Sequence, residues 1–185
     1  DNPQLGPLSL GMSQEQVRQI VGSKEFPGLR SLSPETTGGF FLSASGEAVL
    51  TVVFNRQQDK LTYVDVSSDF LFVVAMREDA ASLGYTDWES SLIFEDWSMS
   101  NLQLGTSKGE VLRAFGQFEQ NGFANVDTVY VQYRPVDLHN AEDACIRSSS
   151  GTSLLFSQET KRESQRLRIG LFGEKAESIS LSAER

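Results

Sequence analysis

A chain of 185 residues, 39% hydrophobic, 10% aromatic and 22% charged, has the composition of a folded globular protein, one medium domain or two small ones, and is too apolar for a disordered one. A net charge of −9 argues against a nucleic-acid or anionic-membrane surface, which needs clustered Lys and Arg, and suits a basic partner. The single cysteine, Cys145, excludes an intramolecular disulfide and a Cys-based zinc cage, and no apolar run reaches the ~18 residues of a membrane span.

Two segments read as copies. Leu8 to Gly22 aligns without a gap on Leu102 to Gly116, at an offset of 94 residues, with identities at Leu8/Leu102, Leu10/Leu104, Gly11/Gly105, Ser13/Ser107, Val17/Val111 and Gly22/Gly116. Six identities in 15 positions compare with about one expected for an arbitrary pair of ordinary composition. Each copy places Ser three residues before Gln16 or Glu110. There the hydroxyl accepts from an orphan N–H while the longer side chain reaches back to the cap, so each copy starts a helix. Val17, Ile20 and Val21 form the apolar stripe of the first helix, and Val111, Leu112, Ala114 and Phe115 that of the second. Gly22 and Gly116 stand where a left-handed terminator is wanted.

After the first helix, Ser23 to Gly39 reads as a polar loop. Strands then follow at Phe40 to Ser43, Ala48 to Phe54 and Leu61 to Val66, joined by turns at Gly46 and Asn55 to Lys60. Phe70 to Leu83 reads as a helix ending at Gly84, with a strand over Phe70 to Val74 as the alternative. An aromatic and acidic patch from Tyr85 to Trp97 comes next. In the second half, Val126 to Arg134, Arg166 to Phe172 and Ser178 to Leu181 read as strands. Leu167 to Phe172 corresponds in kind to Val49 to Phe54, which leaves an insertion of about 24 residues between Pro135 and Gln165, where Leu154 to Phe156 could add a strand. The expected organisation is a first helix–meander repeat over 1–66, a linker over 67–98, and a second repeat over 99–185 with its insertion at about 135–165.

The pattern Leu-x-Leu-Gly-x-Ser-x-x-(Gln/Glu)-Val, closed by Gly and followed by a β meander, resembles the tandem family of bacterial β-lactamase inhibitory proteins. It also resembles the single-copy outer-membrane assembly lipoproteins of the BamE/SmpA type, and similar units look like those of some toxin-neutralising immunity proteins. The resemblance implies an α+β fold of two tandem helix–β-meander repeats, with antiparallel sheets and helices packed on one face. It implies a non-catalytic protein-binding module, an inhibitor or immunity-type protein masking a basic enzyme or toxin, with an envelope-assembly scaffold as the alternative. It also implies a periplasmic or secreted bacterial setting, which a chain opening at Asp1 would suit; a cytoplasmic one remains open. The inhibitory proteins close each half with disulfides and this chain has one cysteine, so the fold and the binding surface carry over and β-lactamase as target does not.

On the expected strands, Leu61, Tyr63 and Asp65 alternate with Thr62, Val64 and Val66, and Thr128, Tyr130, Gln132 and Arg134 alternate with Val129, Val131 and Tyr133. With the β-branched sets against the helices, Tyr63, Asp65, Thr128, Tyr130, Gln132 and Arg134 are expected on an open sheet face. Trp88 and Trp97 would extend that face from the linker, a mixture of the kind that anchors interfaces. His139 and Cys145 lie in the insertion without a second His or Cys to complete a metal site or catalytic pair. Glu95/Asp96 and Glu142/Asp143 are sequence neighbours rather than convergent carboxyls. No nucleophile elbow, P-loop or dinucleotide-binding glycine pattern is present. No enzyme activity, cofactor or metal is expected.

Overall fold

The computed structural model describes residues 4–22, 30–31, 33–82, 84, 88–99, 101–113, 125–133, 149–159, 164–172 and 174–184; side chains are described for these except 30, 31, 112, 125–133, 149–159, 164 and 184. The chain opens with a small antiparallel hairpin, β1 (Gln4–Leu5) and β2 (Leu8–Ser9). Helix α1 (Gln14–Val21) follows, then β3 (Arg30–Ser31), β4 (Thr36–Leu42), β5 (Val49–Asn55), β6 (Lys60–Ser67) and helix α2 (Phe70–Ser82). A 3₁₀ turn at Phe94–Asp96 and helix α3 (Lys108–Arg113) lead into β7 (Asn125–Tyr133), β8 (Ser149–Glu159), β9 (Ser164–Phe172) and β10 (Lys175–Glu184). The larger strands form one antiparallel sheet in the order β3-β4-β5-β6-β10-β9-β8-β7. Its centre is the five strands β4, β5, β6, β10 and β9. The result is a mixed α+β fold with few, short helices.

Local chemistry starts the first helix as expected. Gln16 N–H donates to Ser13 Oγ at 3.2 Å, Ser13 N–H donates to Gln16 Oε1 at 2.9 Å, and Gly22 closes the helix at φ 76°. At α3, Glu110 N–H donates to Ser107 Oγ at 3.3 Å and Ser107 N–H to Glu110 Oε2 at 3.0 Å. The hydrogen bonds from Ser107 hold the Glu110 carboxyl below its usual pKa. Gly116 lies outside the described residues. The glycine before each cap has positive φ, 89° at Gly11 and 83° at Gly105, a conformation that carries little penalty without a Cβ. Each is tied to a strand in the same way. Gly11 N–H donates to Leu61 C=O at 2.8 Å and Leu61 N–H to Met12 C=O at 2.7 Å, while Gly105 N–H donates to Ala176 C=O at 2.7 Å and Ala176 N–H to Thr106 C=O at 2.8 Å.

One face of the sheet carries the main core. Phe41, Leu50, Val52, Phe54, Leu61, Val64, Val66, Leu167, Ile169, Leu171, Ile179 and Leu181 pack with Leu5, Leu8, Leu10, Val17, Val21, Phe94, Met99, Leu102 and Val111. On the other face, α2 lays Val73 and Ala80 against Leu42, Val49 and Trp88, flanked by Phe40, Phe72 and Met76. The alternative of a strand over Phe70 to Val74 is thereby set aside.

The structure revises several expected boundaries. β4 starts at Thr36, inside the stretch read as loop, because Thr36 to Gly39 pair with Val52 to Asn55 of β5. Part of the expected insertion is the full-length strand β8, paired on both sides; His139, Cys145 and Arg134 lie outside the described residues. Leu61 does not share a face with Tyr63. The β5–β6 register shifts between Val53 and Phe54, which oppose Tyr63 and Leu61 and leave Thr62 as an extra residue. That bulge turns Leu61, 1% exposed, into the core beside Phe54. β10 has a matching shift against β9 between Ala176 and Ser178, with Glu177 extra.

Candidate functional site

The sheet face opposite the main core can be read row by row. Phe40, Thr51, Asp65, Ser180 and Arg168 are direct cross-strand partners from β4 to β9. The flanking rows are Val53–Tyr63–Ser182–Arg166 and Leu42–Val49–Ser67–Ser178–Gly170. Helix α2 packs on the β4–β5 part of this face. The β9–β10 part carries polar and basic side chains instead: Arg168 is exposed, and Tyr63, Arg166, Ser178 and Ser182 are half-buried. A Cβ on Gly170 would collide with Ser178 Oγ, so glycine at this register position leaves room for the serine.

Asp65 is 9% exposed at the centre of this face. Burial pushes its carboxyl up to about 7, against a smaller opposing pull from the Arg168 guanidinium two strands away. Thr51 and Ser180 stand directly across from it, so its nearest cross-strand neighbours bring hydroxyls rather than positive charge. At the β9–β10 turn, Phe172 is 56% exposed beside its partner Lys175. Glu177, at the bulge, has its carboxyl raised by burial and by the nearby Asp69.

The expected site residues separate. Tyr63 and Asp65 are on the face just described, with Asp65 buried rather than open. Thr128 falls in the adjacent row, Leu50–Val66–Ile179–Ile169–Leu154–Thr128, and Tyr130 and Gln132 follow it at two-residue steps along β7. The side chains of β7 lie outside the described ones, so Thr128, Tyr130 and Gln132 are placed by backbone register alone. Both tryptophans are inside rather than extending a surface. Trp88 is 8% exposed among Leu42, Val49 and Val73. Trp97 is 9% exposed, edge-on to Phe94 at a 5.0 Å centroid separation.

Residues that sequence reasoning did not place in the site are Arg166, Arg168 and Phe172. Their signal was the alternation Arg166-Leu167-Arg168-Ile169, in which Leu167 and Ile169 are fully buried and the arginines therefore face the other way.

A cleft of about 540 Å³ lies where Ser43 to Gly46, Arg77 and Ala81 of α2, and Trp88 to Ser90 meet. Ser43, Ser45 and Arg77 are engaged with the protein itself. Ser43 Oγ–H donates to Glu95 at 2.5 Å, Ser45 Oγ–H also donates to Glu95, and Arg77 donates to Gly46 C=O. This network fastens the β4–β5 turn to the 3₁₀ turn and to α2. Among the described residues no three His, Cys, Asp or Glu side chains converge as a metal site requires. No described helix is long and apolar enough to cross a membrane.

No protein-family model, no curated protein and no solved structure matches the chain.

Proposed function

We propose that this chain is a non-catalytic protein-binding module of inhibitor or immunity type, built as two tandem helix–meander copies and resembling the β-lactamase inhibitory and BamE/SmpA-type proteins. The tandem reading is supported by the mirrored strand order, in which β3 to β6 run to the centre and β10 to β7 run back out. It is supported further by the paired ties at Gly11/Gly105 and Leu61/Ala176 and by the two bulges at Thr62 and Glu177. Under this reading Asp65 corresponds to Ser180, its own cross-strand partner, so a pseudo-two-fold axis passes between them.

The observation that carries the binding role is the β9–β10 side of the sheet face. It presents Tyr63, Arg166 and Arg168 on an antiparallel scaffold, residue types enriched in interface hot spots. A bacterial periplasmic or secreted setting suits such a module. The test is cross-linking of the tagged protein in extract of its source cell, with mass spectrometry of the cross-linked peptides. A secreted hydrolase or toxin joined to β6, β9 or β10 supports inhibition. Envelope-assembly subunits joined there favour the scaffold reading, and capture of neither sinks the inhibitor reading.

A further inference from the structure

We infer that the β9–β10 strip docks an acidic segment of the partner protein, a carboxylate engaging Arg168 and Arg166 and an apolar side chain seated at Phe172. This rests on the reading of that face as the contact surface and reverses the partner charge that the whole-chain value of −9 suggests. Binding is decided by the groups at the contact, and the strip itself contributes Arg168 and Arg166, with Lys175 at its end, although the chain as a whole is acidic.

Arg166 and Arg168 stand on the strip, and exposed Lys175 sits at its end opposite Phe172. Arg168 forms no ion pair within 4 Å of a described carboxylate. The carboxyl placed among these groups is Asp65, and its burial keeps it largely protonated below about pH 7. In that range Asp65 does not neutralise the exposed Arg168 guanidinium. The remaining described carboxyls at the margins are Glu174 in the β9–β10 turn, Glu177 at the bulge and Asp69 before α2. The charged groups on α2 itself are Arg77, Glu78 and Asp79 in its second half, with Arg77 fastened to Gly46.

Geometry supplies the apolar end. Ser68 N–H donates to Glu177 C=O at 2.8 Å, bringing the first turn of α2 to the start of β10. Phe70 and Leu71 are 75% and 41% exposed there, and Phe172 is 56% exposed across the β9–β10 turn. Arg168 and Phe172 stand four residue steps apart along β9, about 13 Å. The strip therefore fits an extended segment with an acidic residue at one end and an apolar residue four residue steps, roughly 13 Å, away. Guanidinium groups recognise carboxylates through paired, charge-assisted hydrogen bonds, which gives the acidic end both direction and strength.

The test is a titration of the ¹⁵N-labelled full chain with two synthetic peptides of identical length that contain one Phe, one with Glu and Asp at the fifth and fourth positions before it and the other with Lys at those positions. The expected result is amide shifts at Arg168, Gly170, Ser178, Ser180 and Ser182 with the acidic peptide alone, with tighter binding at pH 6 than at pH 8. Arg168→Glu, at an exposed position, is expected to weaken it about ten-fold or more while leaving the remaining amide spectrum in place. Strip shifts with the Lys peptide alone would keep the face as a contact surface and overturn its acidic selectivity. Absence of strip shifts with both peptides overturns the docking inference, while the cross-linking result judges separately whether the protein binds a partner at all.

Discussion

A carboxyl taken out of water with only hydroxyl side chains across the strands from it loses much of the stabilisation of its charge, and Asp65 between Thr51 and Ser180 accordingly ionises at about pH 7 rather than near 3.8. The unfolded chain releases this proton at the lower value. Between the two, the folded state holds more protons than the unfolded one, so the contribution of Asp65 to stability is full below about pH 4, falls as pH rises and is gone above about pH 7. Asp65→Asn removes the titration. Urea denaturation is expected to show the variant gaining on the wild type from pH 4 to pH 7 and holding a constant advantage above it, at most about 4 kcal/mol. Parallel curves at all pH values would show that the Asp65 pKa is unshifted. A second residue-scale test is Gly6→Ala. Gly6 has φ +57° and a Cβ there would stand 2.6 Å from the Trp97 ring, so the variant combines backbone strain with overpacking and is expected to lose about 2 kcal/mol or more. Trp97 fluorescence would report the displaced ring.

At the scale of elements, what the sequence made legible is what local chemistry decides. The Ser13/Gln16 and Ser107/Glu110 caps, the closing Gly22, the helix over Phe70–Ser82 and the alternation of Val64 and Val66 into the core all depend on neighbours a few residues away. What escaped depends on distant partners. The bulge at Thr62 is set by pairing with β5, and it moved Leu61 to the opposite face. The burial of Trp97 is set by Gly6 and Phe94, and the row that Thr128 joins is set by registers accumulated across the four strand pairs from β6 to β7. The candidate strip was half legible, since Tyr63 and Asp65 stood out and the alternation Arg166-Leu167-Arg168-Ile169 marked the arginines as facing away from the core, while their position beside Asp65 follows only from the pairing of β9 with β10 and of β10 with β6. The caps give an element-scale prediction. Ser13→Ala and Ser107→Ala are each expected to lower stability by about 1 kcal/mol, and the double variant by about the sum, because the two boxes share no hydrogen bond. Thermal denaturation of the four proteins measures this. A marked excess in the double variant would show that the two helix starts are coupled through the sheet.

At the scale of the whole molecule, the tandem reading raises the question of whether each half folds alone, and the packing answers it. The main core runs without a break from Leu5, Val17 and Leu50 through Val64 and Val66 to Leu167, Ile179 and Leu181, and the seam between the halves is the β6–β10 pair in the middle of the sheet. A fragment of residues 1–98 would end its sheet at β6. Lys60 to Ser67 would then become an open edge, and Val64 and Val66, at most 1% exposed in the whole chain, would lose neighbours from β10. The apolar area lost is a large share of what a half of this size buries, while the conformational entropy of its residues is unchanged. The full chain is therefore expected to unfold in one transition, with tryptophan fluorescence from Trp88 and Trp97 and far-ultraviolet circular dichroism coinciding along a urea gradient. The 1–98 fragment is expected to show no cooperative transition. Two separated transitions, or a fragment with dispersed amide resonances, would establish the halves as independent domains and the β6–β10 seam as a docking contact.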